Sequence, residues 1–113
     1  MIIRASDTTK IPIPEGIIWD YPMPHEDIGI SCQKLHGRGP TKGKYLNKVC
    51  HEIYFIISGS AKIFLNGTSY DVGARDVIIV NPNTPHHIET SNLTYITITR
   101  PNWYEEQYQL LEE

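Results

Sequence analysis

Two stretches decide the fold: residues 39–59, GPTKGKYLNKVCHEIYFIISG, and residues 75–86, RDVIIVNPNTPH. Each combines a run of β-branched and aromatic residues with flanking glycine, proline or asparagine, which is the pattern of a strand bounded by turns. Along the first run, side chains alternate between two faces, and Cys50, Glu52 and Tyr54 share one of them. A single strand face therefore gathers a thiol, a carboxylate and a phenol.

Further strand patterns lie around these two stretches. The dipeptide Asn66-Gly67 predicts a type I′ hairpin turn, because both residues tolerate a positive φ. The predicted strands are IGISCQKL, VCHEIYFIIS, AKIFLN, TSYDV, DVIIV, HHIET and LTYITIT. About seven short strands at close spacing predict an all-β sandwich or barrel.

The two ends of the chain carry other patterns. Four prolines between Ile11 and Pro24 exclude a helix there, so residues 1–27 are predicted to form an extended arm that can lie across a sheet edge. In residues 101–113, Asn102 and Glu105 have the spacing of a capping box. This segment is predicted to be a short C-terminal helix, with the barrel over residues 28–100 between the two.

Length and composition limit the classes of function. At 113 residues the chain predicts one domain, residues 1–113. A formal net charge of −3 argues against binding to nucleic acid, and the sequence has neither a membrane-spanning apolar stretch nor a signal-peptide core. We therefore expect a cytoplasmic protein without a membrane partner. Its two cysteines, Cys32 and Cys50, are expected to be thiols in that reducing compartment.

The stretch at residues 39–59 resembles the first motif of the cupin superfamily, which runs Gly, five residues, His-x-His, three or four residues, Glu, six residues, Gly. Gly39, Glu52 and Gly59 match it with the four-residue spacing, whereas Tyr45 and Asn47 stand at the two histidine positions. The resemblance implies a small stand-alone cupin, folded as a double-stranded β-helix or jelly-roll barrel.

The stretch at residues 75–86 resembles the second cupin motif, which runs Gly, five residues, Pro-x-Gly, two residues, His. His86 is the one family residue kept at that spacing. Asn83 replaces a glycine, and asparagine enters the left-handed region more readily than other side chains.

The resemblance also raises the question of a metal, since typical metal-binding cupins hold a divalent transition metal with three histidines and one glutamate. Of that set this chain keeps Glu52 and His86, and Cys50 shares the strand face of Glu52. Thiolate, carboxylate and imidazole are competent ligands, so Cys50, Glu52 and His86 can be expected to bind zinc, nickel, iron or manganese. The alternative is equally open: Cys50 is a buried apolar residue, and the site holds no metal.

Three functions remain. The first is a small-molecule-binding cupin with a degenerate metal site, in which Tyr45, Asn47 and Tyr54 help to hold a sugar or organic acid in the barrel mouth. The second is a metal-dependent or acid/base enzyme, an isomerase, epimerase or dioxygenase, in which Glu52 and His86 are catalytic. The third is an effector-sensing domain, because the motif segments also resemble sugar-responsive transcription regulators. The length of 113 residues leaves no room for the DNA-binding region of such regulators.

The family further implies a homodimer. The expectation is motivated by Trp19 and Tyr21, two large aromatic residues of the predicted arm.

Overall fold

The computed structural model describes residues 1–112 and consists almost entirely of strands. Nine strands follow in chain order: β1 (Thr9–Ile13), β2 (Gly16–Asp20), β3 (Gly29–Gly39), β4 (Lys44–Asn47), β5 (His51–Leu65), β6 (Thr68–Gly73), β7 (Val77–Val80), β8 (His86–Arg100) and β9 (Tyr108–Leu111). Two single 3-10 turns, Ala5–Asp7 and Glu105–Gln107, complete the secondary structure of the described residues. No helix among residues 1–112 has the length and apolar character needed to cross a membrane.

Two long strands hold the barrel together. Strand β8 pairs with β3 along one edge and with β5 along the other, and all of these pairings are antiparallel. The sheet continues from β3 through β2 to β1, while β6 and β7 pair with successive parts of β5. This curled sheet is the all-β barrel predicted from the sequence.

Strands β5 and β8 each combine two of the predicted short strands. Strand β5 continues through Gly59, whose φ is +90°, and its register with β8 shifts between Ile56 and Ser58 and again between Ser60 and Lys62. A side chain at Gly59 would collide with the carbonyl oxygen of Asn92. The glycine thus lets a 15-residue strand bend where the sequence pattern predicts a break.

Turn chemistry follows the predictions at two places. Asn66 and Gly67 have φ values of +51° and +87°, as the type I′ hairpin between β5 and β6 requires. Asn83, which occupies a motif glycine position, has a φ of +62°. Both predictions are confirmed.

The predicted arm is extended, and it is also part of the sheet. Strands β1 and β2 form a hairpin, and β2 pairs with β3 from Gly16↔Leu35 to Asp20↔Ser31. A side chain at Gly16 would collide with the carbonyl oxygen of Lys34, so this close approach requires glycine. The hairpin brings isoleucines to one open end of the barrel.

The predicted C-terminal helix over residues 101–113 is wrong. The segment contains one 3-10 turn followed by β9, which pairs with β4 from Lys44↔Leu111 to Asn47↔Tyr108. Tyr104, at the N-terminal end of the turn, is extended and makes no side-chain capping bond. Pairing with a strand distant in sequence has outweighed the local capping pattern. Glu113, the last residue of the predicted helix, lies outside the described residues.

The apolar core fills one part of the barrel. It consists of Leu35, Tyr54, Ile56, Ile63, Ile78, Val80, Ile88, Leu93 and Tyr95. Tyr54 and Tyr95 pack edge to face, with ring centroids 5.4 Å apart. These two rings also line the cavity described next, so they separate the packed core from the open end of the barrel.

Candidate functional site

A cavity of about 420 Å³ occupies the open end of the barrel. Its walls come from the β1–β2 hairpin, from β3, β4, β5 and β8, and from the segment that follows β8. The lining residues are Ile11, Ile13, Ile18, Asp20, Ile30, Ser31, Gln33, Tyr45, Asn47, Glu52, Tyr54, Tyr95, Thr97, Thr99, Asn102, Trp103 and Tyr108. The volume lies within the range of small-molecule sites.

Strand register sets the order of the polar residues in this cavity. Across β5 and β8, Glu52 stands opposite Thr99 and Tyr54 stands opposite Thr97. On the other side of β8, Ser31 of β3 stands opposite Thr97. Directly opposite residues have Cβ atoms about 5 Å apart, so these five side chains form one continuous polar surface, which we call the polar floor.

Glu52 is the carboxylate of the polar floor. Its Oε1 atom accepts hydrogen bonds from Asn47 Nδ2 at 2.7 Å and from Tyr54 OH at 3.0 Å. No side chain among residues 1–112 donates to Oε2, and the Glu52 side chain keeps 10% exposure within the cavity wall. One oxygen is therefore held by the protein while the other is open to a ligand.

His86 lies behind Glu52 and is 1% exposed. Its Nδ1 atom is 2.8 Å from the carbonyl oxygen of Thr84, and because a carbonyl only accepts, Nδ1 carries a hydrogen. This bond turns Nε2 toward Glu52, whose Oε1 is 3.4 Å away. His86 does not line the cavity itself, and it contacts the lining residues Glu52 and Tyr54 from behind.

Tyr54 bridges Glu52 and His86. Its hydroxyl group is 3.0 Å from Glu52 Oε1 and 3.2 Å from His86 Nε2, but its single hydrogen can be donated to only one of them at a time. Burial and then the Glu52 carboxylate hold the pKa of Tyr54 well above its usual value. Tyr54 therefore stays a neutral phenol that can donate to either Glu52 or His86.

Asn47 holds Glu52 in place from β4. Its Oδ1 atom accepts hydrogen bonds from Trp103 Nε1 at 3.1 Å and from Gln107 Nε2 at 2.8 Å, which leaves Nδ2 to donate to Glu52. The Oε1 atom of Gln107 accepts from the backbone amides of Val49 and Cys50. The segment after β8 therefore fixes the orientation of the amide that orients Glu52.

Tyr45 closes the other side of the site. Its hydroxyl group donates to Glu15 Oε1 at 3.2 Å, and Glu15 lies in the turn of the β1–β2 hairpin. Its ring is 5.5 Å from that of His86. Burial, with smaller effects of Tyr95 and Glu15, raises the pKa of Tyr45 above its usual value. Tyr45 remains a neutral phenol that connects the hairpin to the barrel.

The structure thus brings together five of the six residues singled out from the sequence: Tyr45, Asn47, Glu52, Tyr54 and His86. Cys50 faces inward as the strand alternation predicts, but it does not line the cavity. Its thiol donates to the carbonyl oxygen of Pro101 at 3.5 Å. Burial and then the Glu52 carboxylate raise the pKa of Cys50 above its usual value.

Comparison with known proteins identifies the family. The family model Cupin_2, described as a cupin domain, matches residues 33–98, which is more than half of the chain. The chain is a cupin. None of the curated proteins matches this cupin.

Solved structures share its fold. Pac13 of Streptomyces, described as a unique nucleoside dehydratase, superposes with a TM-score of 0.89 at 17% identity, covering 99% of this cupin and 91% of Pac13. Pac13 variants with uridine superpose with the same TM-score. A protein from Planctomyces limnophilus has a TM-score of 0.78 at 21% identity and covers 97% of this cupin and 96% of its own chain. At these identities the likeness establishes the fold alone.

A metal ion does not fit the donor set of this cupin. Among residues 1–112, no three histidine, cysteine, aspartate or glutamate side chains converge closely enough to hold one. Glu52 Oε1 is already occupied by two donors, and the thiol of Cys50 lies against Pro101. The predicted trio of Cys50, Glu52 and His86 gains no support from this arrangement, and the polar floor offers a carboxylate, a phenol and aliphatic hydroxyl groups.

Several residues of the site have no signal in the sequence. Thr97 and Ser31 belong to regular strand patterns in which a hydroxyl residue is ordinary. Gln107 was assigned to a predicted helix, although it is buried and bonded to Asn47. Strand alternation in β8 is the feature of the sequence that could have pointed to two of these residues, because it places Thr97 and Thr99 on the same face as Tyr95.

Proposed function

We propose that this cupin binds an uncharged, hydroxylated small molecule of the sugar or nucleoside class and moves a proton on it with Glu52. The proposal rests on the different surroundings of the two oxygen atoms of the Glu52 carboxylate. Oε1 is held by Asn47 and Tyr54 at 2.7 and 3.0 Å, and Oε2 is open to the cavity. A general base needs this combination of a fixed orientation and one accessible oxygen.

The charges of the cavity support an uncharged ligand. Its titratable lining residues other than tyrosine are Asp20 and Glu52, and no lysine, arginine or histidine is among the residues that line it. Two acidic groups without a cation disfavour carboxylates and phosphates by repulsion and desolvation. Within the predicted ligand classes, a sugar derivative is therefore favoured over an organic acid.

The distribution of apolar surface supports a ligand with two different faces. Four isoleucines, Ile11, Ile13, Ile18 and Ile30, and the rings of Trp103 and Tyr108 line the same cavity as the polar floor. Such a cavity suits a ring with hydroxyl groups joined to a flat, less polar group. A nucleoside has this shape, and Pac13 variants of the same fold were solved with uridine.

Acid/base chemistry in this cavity needs no group beyond the residues described. Glu52 Oε2 takes a proton from a carbon next to a carbonyl group, and the electron pair of the broken bond moves into that carbonyl. If the next carbon carries a hydroxyl group, the same carboxylic acid returns the proton to that oxygen; the electron pair then moves back from the carbonyl oxygen to form a carbon–carbon double bond as the C–O bond breaks and water leaves. Asn47 Nδ2 and Tyr54 OH hold Glu52 through Oε1 during these transfers, which leaves Oε2 to take and return the proton.

The proposal is tested by binding and by proton exchange. Uridine, adenosine, methyl riboside, citrate and uridine monophosphate are screened by thermal shift, since a ligand of the folded state raises its Tm. Nucleosides oxidised at one hydroxyl group are then incubated in D₂O and followed by NMR for deuterium uptake and loss of water. Glu52→Gln should abolish the exchange, while the exposed control Glu106→Gln leaves it unchanged. Preferential stabilisation by citrate or the monophosphate contradicts the proposal, and binding without exchange reduces it to a binding cupin.

We also propose that two copies associate through the outer face of β5 and β7. Ile53 stands opposite Ile79 and Phe55 opposite Val77, and all four side chains are exposed. Strand β7 pairs with β5 alone among residues 1–112, so its other edge is unpaired as well. An apolar patch on an edge strand is suited to an identical partner. Light scattering should give twice 12.9 kDa for the wild type and a monomer for Ile79→Lys; a wild-type monomer rejects the proposal.

A further inference from the structure

Thr97 carries a buried hydroxyl group without a partner. Its Oγ1 atom makes no hydrogen bond in the described structure, although the residue is only 4% exposed. Residues 1–112 contain one other buried side-chain atom of this kind, His87 Nδ1, and His87 is not a lining residue of the cavity. Thr97 does line the cavity, in the centre of the polar floor.

An unpaired buried hydroxyl group is unfavourable for the free protein. Valine has nearly the shape of threonine and would fill the same space on a β-strand without a polar atom to desolvate. A buried polar atom without a partner is rare and calls for a specific cause. A ligand that supplies the missing hydrogen bond is such a cause, because Thr97 lines the cavity in which the proposed ligand would sit.

The neighbours of Thr97 define what it can bind. Across β3, Ser31 Oγ accepts a hydrogen bond from Gln33 Nε2 at 3.1 Å, so its own hydrogen remains available. Across β5, the hydroxyl group of Tyr54 is engaged by Glu52 and His86. Thr97 and Ser31 therefore present two adjacent hydroxyl groups that can both donate, and Thr97 can also accept.

We propose that Thr97 and Ser31 bind a vicinal diol of the ligand and that Thr97 decides specificity for it. Two neighbouring ligand hydroxyl groups match two neighbouring protein hydroxyl groups, since each side can donate and accept. The diol lies on the floor beside Glu52, which stands opposite Thr99, two residues along the strands from the pair of Tyr54 and Thr97. This inference rests on the proposed function, because it assumes that the ligand occupies the same cavity.

The first test needs no ligand. Thr97→Val removes a hydroxyl group that has no partner in the free protein, so its Tm should equal that of the wild type or rise by about 2–5 °C. Thr97→Ser keeps the hydroxyl group and serves as the conservative variant, and Thr99→Val is the matched substitution at a lining residue without an unpaired buried atom. A marked loss of Tm specific to Thr97→Val would mean that the hydroxyl group is already bonded, and would overturn the inference.

The second test measures discrimination between uridine and 2′-deoxyuridine by calorimetry. Wild type should bind uridine about tenfold more tightly, which corresponds to one hydrogen bond in a buried site. Thr97→Val should bind the two with affinities within about twofold, Thr97→Ser should retain the preference, and Glu52→Gln should retain it while proton exchange is lost. Equal binding of both nucleosides by the wild type overturns the role of Thr97 and leaves the proposed function standing. Binding of neither nucleoside, nor of methyl riboside, overturns both.

Discussion

Asn47 donates a 2.7 Å hydrogen bond to Glu52, so the residue at a motif histidine position has become the orienting partner of the motif glutamate. A histidine at position 47 could bind a metal together with the Glu52 carboxylate. The amide N–H of asparagine instead donates a hydrogen bond to that carboxylate. The replacement gives Glu52 a neutral hydrogen-bond donor where the cupin motif has a histidine, which suits the role of general base proposed for it.

Asn47→Asp should make stability depend on pH. The variant keeps an acceptor for Trp103 and Gln107 but places an oxygen without a hydrogen beside Glu52 Oε1. Two buried carboxyl groups at this distance share a proton in the folded state, which raises the apparent pKa of the pair. Because the folded state then binds more protons than the unfolded state, stability falls as pH rises. We expect a loss of about 3 kcal/mol at pH 7 and a smaller loss at pH 5, measured by urea unfolding.

Its control is Asn92→Asp, at an exposed position. That substitution should change the free energy of unfolding by less than about 0.5 kcal/mol at both pH values. Equal losses for Asn47→Asp at pH 5 and pH 8 would disagree with a direct contact between the two side chains.

Tyr54→Phe should separate binding from proton transfer. The ring still closes the cavity floor against Tyr95, but Glu52 and His86 lose the hydroxyl group that bridges them. We expect a loss of stability of about 1 kcal/mol, nucleoside affinity within a few-fold of wild type, and deuterium exchange slower by about 10- to 100-fold. Histidine ¹⁵N NMR should show a changed Nε2 signal for His86, with Nδ1 still protonated by its bond to Thr84. The exposed Tyr70→Phe is the matched variant, and unchanged exchange in Tyr54→Phe would remove the phenol from the mechanism.

The two cysteines should differ in reactivity. Cys50 is 0% exposed, and burial raises the pKa of its thiol, whereas Cys32 is half-buried. At pH 8, iodoacetamide should modify Cys32 first, and Cys50 should react as the protein unfolds.

The raised pKa of Cys50 also makes stability depend on pH. Unfolding releases a proton from this thiol, so its contribution lowers the free energy of unfolding as pH rises through about 8.5 and above. Zinc titration of wild type and Cys50→Ser should give the same result, and a zinc affinity that depends on Cys50 would restore the thiolate as a ligand.

Gly59→Ala and Gly67→Ala should differ although their backbone angles agree. The φ values are +90° and +87°, so both substitutions carry the same backbone strain. At Gly59 a Cβ atom would also collide with the carbonyl oxygen of Asn92, whereas at Gly67 no atom lies within 4 Å. We expect about 1 kcal/mol of destabilisation at Gly67 and at least about 3 kcal/mol at Gly59 by chemical unfolding. Similar losses at both positions would argue against the close approach of β5 and β8.

The sequence predicts much of this site, because two simple regularities govern it. Motif spacing singles out Tyr45, Asn47, Glu52 and His86, and strand alternation adds Tyr54 to the same face. Neither regularity describes contacts with segments that are distant in the chain. Alternation therefore places Cys50 inward without revealing that Pro101 accepts its hydrogen bond.

The C-terminal segment shows the same limit more strongly. Asn102 and Glu105 satisfy a local helix pattern, yet the segment pairs with β4. The contacts that favour a strand over a helix here are made with β4, about 60 residues earlier in the chain. They include the hydrogen bond from Gln107 to Asn47. Local propensity carries no information about a partner so distant in sequence. For the same reason, the sequence does not show that the Thr97 hydroxyl group is unpaired, because its neighbours lie on β3 and β5.

The pairing of β9 with β4 has a consequence for synthesis. Strand β4 and Asn47 are translated before the groups that complete their bonding, Trp103, Gln107 and the backbone of β9, which follow Asn47 by about 60 residues. A nascent chain can close β5 and the rest of the barrel while Asn47 still lacks two of its partners. The orientation of Glu52 would then be completed after the barrel, so that a nascent chain can be folded in most respects before this carboxylate is held in place.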